Sequence, residues 1–473
     1  YLEGVYVGYR YFDSIGKKPL FAFGYGKSYT SFTIEKDSIS NEGETITVNV
    51  VVKNVGRYSG KEVVQVYVSP SQENKDKPYQ SLVGFKKTKK LEPDNEQNLK
   101  ISFKLSDIAR YDSETAKYIL DKGKYIIRVG NSSDKTEVYG FITLEKDIIT
   151  EELKNIGGEP DFGDFIPEEI KYDDDLTDVD EIKLSEDDFK KKKVDYTKYK
   201  PKINSNVKSL EMEDVAKLCI GKFEGKSHVV GQAGETVLTI DSIKNSLILA
   251  DGPAGIRIFP NYKDDEGNVH YQFTTAIPIA TALAQSFNED FVENVGNIVG
   301  EEMDIFNVNL WLAPALNIHR NIQNGRNFEY FSEDPFISGM MAAAITRGVQ
   351  MHPNRGTTIK HFACNGQEWN RFNSNSIVSE RALREIYLKG FKIAIDNSLP
   401  HSLMTSYNLI NGVHSSERRD LIVDVIRSEW EYDGLIMSDW YTSGMYFLKI
   451  SNHPSQEAVN NIKAGNDLQM FGL

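Results

Sequence analysis

From residue 31 to about residue 144, apolar and polar positions alternate in short runs rich in β-branched residues. Thr45-Ile46-Thr47-Val48-Asn49-Val50-Val51-Val52 is the clearest run, and Glu62-Val63-Val64-Gln65-Val66-Tyr67-Val68 and Tyr125-Ile126-Ile127-Arg128-Val129 are similar. Turn chemistry at Asn54-Val55-Gly56, Asp94-Asn95 and Asp121-Lys122-Gly123 separates them. Short strands at this spacing, with no helical period between them, predict a β-sandwich over 31–147.

The pattern changes after about residue 209. Short apolar runs recur at Leu247-Ile248-Leu249-Ala250, Leu310-Trp311-Leu312-Ala313, Thr358-Ile359, Leu403-Met404, Leu435-Ile436-Met437 and Leu468-Gln469-Met470. Amphipathic stretches lie between them at 288–303, 336–351, 380–397, 418–430 and 454–464. Strands alternating with helices predict parallel β/α units, and their number over 209–473 predicts a (β/α)8 TIM-type barrel. The chain is therefore read as multidomain.

The intervening stretch, 148–208, is different in kind. Residues 151–190 hold 16 acidic and 4 basic side chains, and Lys190-Lys191-Lys192-Lys193 follows. With Gly157-Gly158 and Asp173-Asp174-Asp175 it reads as an acidic linker, wrapped over the surface or partly mobile, its lysines a solvated face. This tract carries most of the net charge of −14, so the acidity says little about a ligand but argues against nucleic acid as a partner. No apolar run is long enough for a membrane span. Cys219 and Cys364 cannot form a disulfide framework, no Cys/His cluster has zinc spacing, and two cysteines suit a cytoplasmic or a secreted protein alike. The chain opens on Tyr1 without a leader and is read as part of something longer.

In such a barrel the site lies at the carboxyl ends of the strands. Asp251 follows the first run; Arg326 lies in the loop after the Leu310 run; Lys360-His361, Ser406-Tyr407-Asn408 and Ser438-Asp439-Trp440 follow the next three. Charged groups beside the aromatic faces of Trp440, Tyr407 and Phe328 suit a pyranose ring, with its rim of hydroxyls and apolar faces. Each residue also has a plainer reading. Asp251 before Gly-Pro could cap a turn, His361 could be a satisfied core histidine, and Asp439 could belong to an ion pair. Lys360 could form a Schiff base in an aldolase-like barrel. Cys364 reads as a small packing residue.

Six motifs carry a resemblance. Asp251-Gly-Pro-Ala-Gly-Ile-Arg257, Gly325-Arg-Asn-Phe-Glu-Tyr-Phe-Ser-Glu-Asp-Pro335, Lys360-His-Phe-Ala-Cys-Asn-Gly-Gln-Glu368, Ser379-Glu-Arg-Ala-Leu-Arg-Glu-Ile-Tyr387, Met404-Thr-Ser-Tyr-Asn408 and Gly434-Leu-Ile-Met-Ser-Asp-Trp440 resemble glycoside hydrolase family 3. The β-region resembles that family's fibronectin type III-like domain. Residues 1–30, with Tyr6-Val-Gly-Tyr-Arg-Tyr-Phe12 and Pro19-Leu-Phe-Ala-Phe-Gly-Tyr-Gly-Lys-Ser-Tyr29, resemble the end of its α/β sandwich domain. The β-domain before the barrel is similar to the permuted subgroup, and the acidic linker would be the connection that permutation requires.

The resemblance implies a β-glucosidase that hydrolyses terminal non-reducing β-D-glucosyl residues with retention. It implies Asp439 as the nucleophile, forming a glucosyl ester. It implies Asp251, Arg257, Arg326, Lys360 and His361 as glycone-binding residues, Met404 and Tyr407 near the nucleophile, and Trp440 against the ring. A cation at Arg326 or Lys360 would keep Asp439 ionised. The acid/base would lie on the α/β sandwich domain upstream, in this or a partner chain, and Glu329, Glu333 and Glu368 are read as loop braces. No cofactor or metal is implied. The expected partner is a β-glucoside or cello-oligosaccharide, and the β-domain offers a surface for a homo-oligomer. The rival reading is a sugar-binding or assembly subunit with the same pocket.

Overall fold

The computed structural model describes residues 1–71, 76–158, 160–168, 174–201, 205–223, 229–236, 246–442 and 457–470. The chain divides into two compact units: Tyr1–Asn155, Asp161–Val194 and Ser379–Glu385 form the first, and Ile156–Pro160, Asp195–Val378 and Ile386–Leu473 the second.

The first unit is built on β1 (Phe32–Glu42), β2 (Thr45–Asn54), β3 (Val63–Ser69), β4 (Ser81–Lys87), β5 (Glu96–Lys104), β6 (Arg110–Asp112), β7 (Lys117–Leu120), β8 (Gly123–Ser132), β9 (Lys135–Leu144), β10 (Ile148–Glu152), β11 (Asp180–Leu184) and β12 (Lys192–Lys193). They form sheets in the orders β1-β2-β5, β11-β9-β8-β3-β4 and β12-β10-β7-β6. Alternation decides which face is buried. Ile46, Val48, Val50 and Val52 of β2 point inward, against Val64, Val66 and Val68 of β3 and Ile127 and Val129 of β8, in one core.

The acidic stretch does not remain outside this unit. Ile182 and Leu184 join the core as β11 pairs in parallel with β9, and Ile148 joins it from β10. Within Asp180-Glu181-Ile182-Lys183-Leu184 the charges alternate with two apolar residues, which is the pattern of a strand with one wet face. Lys191 and Lys193 lie beside Glu152 and stay solvent-exposed. Asp173 of the aspartate cluster falls outside the described residues. The N-terminal segment is also integral to the unit: Tyr9, in the helix Tyr9–Ser14, stacks on Phe23 at 4.4 Å, and its hydroxyl accepts from Leu82 N–H at 2.8 Å.

Part of the fourth motif braces this unit. Glu385 accepts from Tyr111 N–H and from Arg381, while the buried Arg384 pairs with Glu380 at 2.8 Å over the Tyr111 ring.

The second unit contains β13 (Gly221–Lys222), β14 (Gly234–Thr236), β15 (Ile248–Asp251), β16 (Asn261–Lys263), β17 (Val269–Tyr271), β18 (Leu310–Leu312), β19 (Gly356–Phe362), β20 (Asn375–Ser376), β21 (Ser402–Thr405), β22 (Leu409–Ile410), β23 (Val413–His414) and β24 (Leu435–Met437). Its main sheet runs β13-β14-β15-β18-β19-β21-β24. Pairing continues from Met437 to Leu468 and from Gln469 to Ile220, beside β13, so the strands close on themselves. Leu249, Leu310, Leu312, Met404, Met437, Leu468 and Met470 pack together in one cluster. Within this sheet β15, β18, β19, β21 and β24 are parallel, but β14 is antiparallel to both β13 and β15. This departs from the eight parallel β/α units expected; an antiparallel pair needs no crossover helix.

Local chemistry starts the helices. Asn288 caps Glu289–Ile305 by accepting from Phe291 N–H, with Glu289 and Asp290 in the first turn. Asp334 caps Pro335–Gln350, with Pro335 at the first helical position. These helices pack backbone to backbone: a Cβ on Gly296 would lie 2.2 Å from Ile345 O. The expected helix 380–397 divides into Glu380–Ala382, a wide turn Leu383–Tyr387 and Lys389–Ser398. Asp420–Glu429 is also wide-turned, and Ala458–Ala464 forms, with 454–456 outside the described residues. No described helix is long and apolar enough to cross a membrane.

Candidate active site

The carboxyl ends of the parallel strands open into a cavity of about 1020 Å³. Asp251, the last residue of β15, begins a turn closed by Arg257 N–H on Asp251 O (2.7 Å) and Gly255 N–H on Gly252 O (3.0 Å). Gly252 has φ +115°, and a Cβ there would meet Gly255 O at 2.1 Å, so the turn requires glycine. Trp311, fully buried in β18, donates its indole N–H to Gly252 O at 2.9 Å and ties the turn to the sheet.

Lys360 and His361 come from β19, where Lys360-His361 and Phe362-Ala363 are cis peptides. Lys360 is 3% exposed, and its Nζ donates to Asp251 Oδ1 at 2.6 Å. Arg257 pairs with the other Asp251 oxygen from an exposed position. Burial raises the cost of the Asp251 charge, but Lys360, Arg257 and the Gly252 N–H outweigh it and bring its pKa down to about 2. Arg326 is paired with Glu329 three residues on.

Asp439 follows β24. Its Oδ1 accepts from Trp440 N–H at 2.7 Å, and its buried Oδ2 has no hydrogen-bond partner among the described residues. Burial pushes the Asp439 carboxyl up; Arg326, Lys360, Trp440 N–H and the Tyr407 hydroxyl act against it without cancelling it. The expectation that Arg326 or Lys360 keeps this group ionised thus has the right sign, but desolvation is the larger effect. His361 is neutral: burial and the cations Arg326, Lys360 and Arg371 hold its pKa well below the ordinary value. Met404 is buried in β21, Tyr407 follows it, and the Trp440 indole donates to Ala233 O at 2.9 Å.

Asp251, Arg257, Arg326, Lys360, His361, Met404, Tyr407, Asp439 and Trp440 all line this one cavity. Phe328 does not: it is half-exposed and lies outside the lining. Sequence reasoning missed Phe223, Phe259, Tyr441 and the segment from Val229 to Ala233, brought in where Ala233 N–H donates to Leu249 O. It also missed Arg371, whose only signal was its place shortly after the Lys360 motif. Cys364 is buried, and burial drives its thiol pKa far up, as suits packing rather than chemistry.

The site can therefore present a fixed carboxylate–ammonium pair to vicinal hydroxyls, an aromatic wall to a ring face, and one carboxyl oxygen without a hydrogen-bond partner among the described residues. Glu329 and Glu368, which also line it, are held by Arg326 and Arg371. No group of three or more described acidic, histidine or cysteine side chains is arranged to hold a metal ion.

Residues 62–133 match the fibronectin type III-like domain. Beta-glucosidase A of Butyrivibrio fibrisolvens is 35% identical over an alignment covering 99% of this chain and 61% of that protein. A beta-glucosidase from Paenibacillus barengoltzii superposes with a TM-score of 0.84 at 32% identity, covering 99% of this chain and 54% of that one. Beta-glucosidase 3B from Thermotoga neapolitana, solved in complex with α-D-glucose, is 43% identical over 55% of this chain and 35% of its own, with a TM-score of 0.50. The chain thus spans between half and two thirds of the first two. Residues 200–472 match the glycosyl hydrolase family 3 N terminal domain, and the chain belongs to that family.

Proposed function

We propose that this chain carries the nucleophile half of a retaining β-glucosidase. The observation that carries the reading is Asp439: a carboxyl placed at a strand end, one of whose oxygens has no hydrogen-bond partner among the described residues, in a cavity shared with the Asp251–Lys360 pair. Its oxygen attacks the anomeric carbon of a terminal β-D-glucosyl residue as the bond to the leaving oxygen breaks, and water then hydrolyses the glucosyl ester. Asp251, Arg257, Arg326, Lys360 and His361 hold the glycone hydroxyls, Met404 and Tyr407 flank the nucleophile, and Trp440 shapes the ring's apolar face. The names of the relatives and the glucose bound to the Thermotoga enzyme support glucose as the glycone.

We place the acid/base outside these residues, because each other carboxylate lining the cavity among the described residues is ion-paired. A retaining enzyme needs that second carboxyl about 5 Å from the first. The β-domain preceding the barrel is read as the permuted order of the family, with residues 1–30 as the end of the α/β sandwich domain. The closed ring of strands is read as the family's barrel with one strand reversed.

The test is turnover of 2,4-dinitrophenyl β-glucoside by this chain with and without azide. That leaving group needs no acid, and azide replaces the activated water. Stimulation by azide with β-glucosyl azide as product is the expected result; no turnover and no labelling of Asp439 by a 2-fluoroglucoside would sink the assignment. The same ion-paired carboxylates favour one rival, a sugar-binding or assembly subunit. It predicts calorimetric glucose binding without turnover of any activated glucoside in the longest natural form of the protein.

A further inference from the structure

Arg371 lies in a short turn, Arg371–Asn373, beyond the end of β19, and its side chain lines the cavity. Its guanidinium carbon stands 4.7 Å from the centre of the Tyr407 ring and 4.9 Å from that of Phe372. The two rings meet edge to face at 4.7 Å and 77°. Nη1 donates to Glu368 Oε2 at 2.9 Å, and Glu368 Oε1 accepts from Asn365 at 3.0 Å. The cation is therefore held by a tethered carboxylate at its edge and by aromatic rings.

The hydroxyl of that same Tyr407 ring favours the charged form of Asp439. A cation against a phenol draws electron density from the ring and makes its O–H a stronger donor. We infer that Arg371 is a positioning residue for the nucleophile, acting through Tyr407: it locks the ring and strengthens the hydrogen bond its hydroxyl gives to Asp439. The inference rests on the reading of Asp439 as nucleophile. Around Asp439 stand the cations Arg326 and Lys360, the neutral His361 and Tyr407; Arg371 bears chiefly on Tyr407, whose pKa it lowers, and on His361. Loss of Arg371 thus weakens one of the groups that oppose the desolvation of the carboxylate.

The experiment is inactivation by 2-deoxy-2-fluoroglucosyl fluoride in the longest natural form of the protein, followed across pH. The carboxylate oxygen bonds to the anomeric carbon, the C–F bond breaks, and fluoride leaves with the electron pair, so no acid enters. In Arg371→Met the acid limb of the inactivation rate moves up by about half a pH unit, roughly threefold slower on that limb. Arg371→Lys, which keeps the charge without the planar fork, restores part of it. In a Tyr407→Phe background, Arg371→Met adds no further shift. An unmoved limb in Arg371→Met, or an undiminished shift in the Tyr407→Phe background, overturns the inference. If Arg371→Met does not fold, Glu368→Gln, which removes only the tether, takes its place; a smaller shift in the same direction supports the inference and none overturns it. Absence of label on Asp439 in the unsubstituted protein instead overturns the nucleophile reading itself.

Discussion

His361 Nε2 stands 3.8 Å from Asp439 Oδ2, outside hydrogen-bonding reach, with both side chains buried. The imidazole is kept neutral by burial and by three neighbouring cations. In the unfolded chain it protonates near its ordinary pKa of about 6.5. The folded state then binds fewer protons, so its contribution is full above that pH and is lost as pH falls below it, by up to about 1.4 kcal/mol per unit. Urea unfolding from pH 7 to pH 5 should show a shallower loss of stability in His361→Gln than in the unsubstituted chain. Equal slopes would mean that the imidazole charges in the folded state.

Asp251 acts in the same direction as His361 but at lower pH. Its folded pKa of about 2 lies below the ordinary carboxylate value, so the Lys360 contact stabilises the fold above about pH 4 and is lost as pH falls toward 2. Lys360→Met leaves this carboxylate with the exposed Arg257 and the Gly252 N–H. A cost of about 3 kcal/mol is expected at neutral pH. Adding Asp251→Asn should cost less than the sum of the two single substitutions; strict additivity in denaturant titrations would mean the pair is not coupled.

Trp311 reaches the site through one hydrogen bond to Gly252 O. Trp311→Phe removes one of the two donors to that carbonyl and leaves Gly255 N–H in place, a loss of about 1 kcal/mol. Because the bond anchors the Asp251 turn, glucose affinity measured by calorimetry should fall together with stability. A stability loss with unchanged affinity would show that the turn holds its shape alone.

Gly252→Ala tests the same turn from the backbone side. Its positive φ and the 2.1 Å approach to Gly255 O leave no room for a methyl group. Destabilisation of about 2 kcal/mol or more is expected in thermal or chemical unfolding. A neutral substitution would mean the turn can adopt another path.

Much of the second unit was legible because its signals are local. The apolar runs at Leu249, Leu310, Ile359, Leu403, Ile436 and Leu468 all lie in paired strand positions, and the Asn288 and Asp334 caps begin their helices. The predicted site residues share one cavity for a related reason: a parallel strand sends its last side chains to the same end whichever strand lies beside it. Motif membership did not distinguish lining from bracing. Asp334, Arg381 and Glu385 lie in motifs yet cap a helix or hold the first unit together.

The sequence by itself determined where strands and helices begin and which polar groups stand at the strand ends, since periodicity, caps and turn glycines act over a few residues. Pairing and burial were left to the tertiary structure, because both depend on residues far apart in the chain. Ile182 and Leu184 turn part of an acidic tract into a core strand only when β9 is beside them. Ala233 meets the cavity only through the reversed β14, and Arg371 meets Tyr407 only after the loops fold. The upward pull on the Asp439 carboxyl and the downward pull on the His361 imidazole arise in the same way, from a desolvation that exists only once the cavity walls have assembled around them.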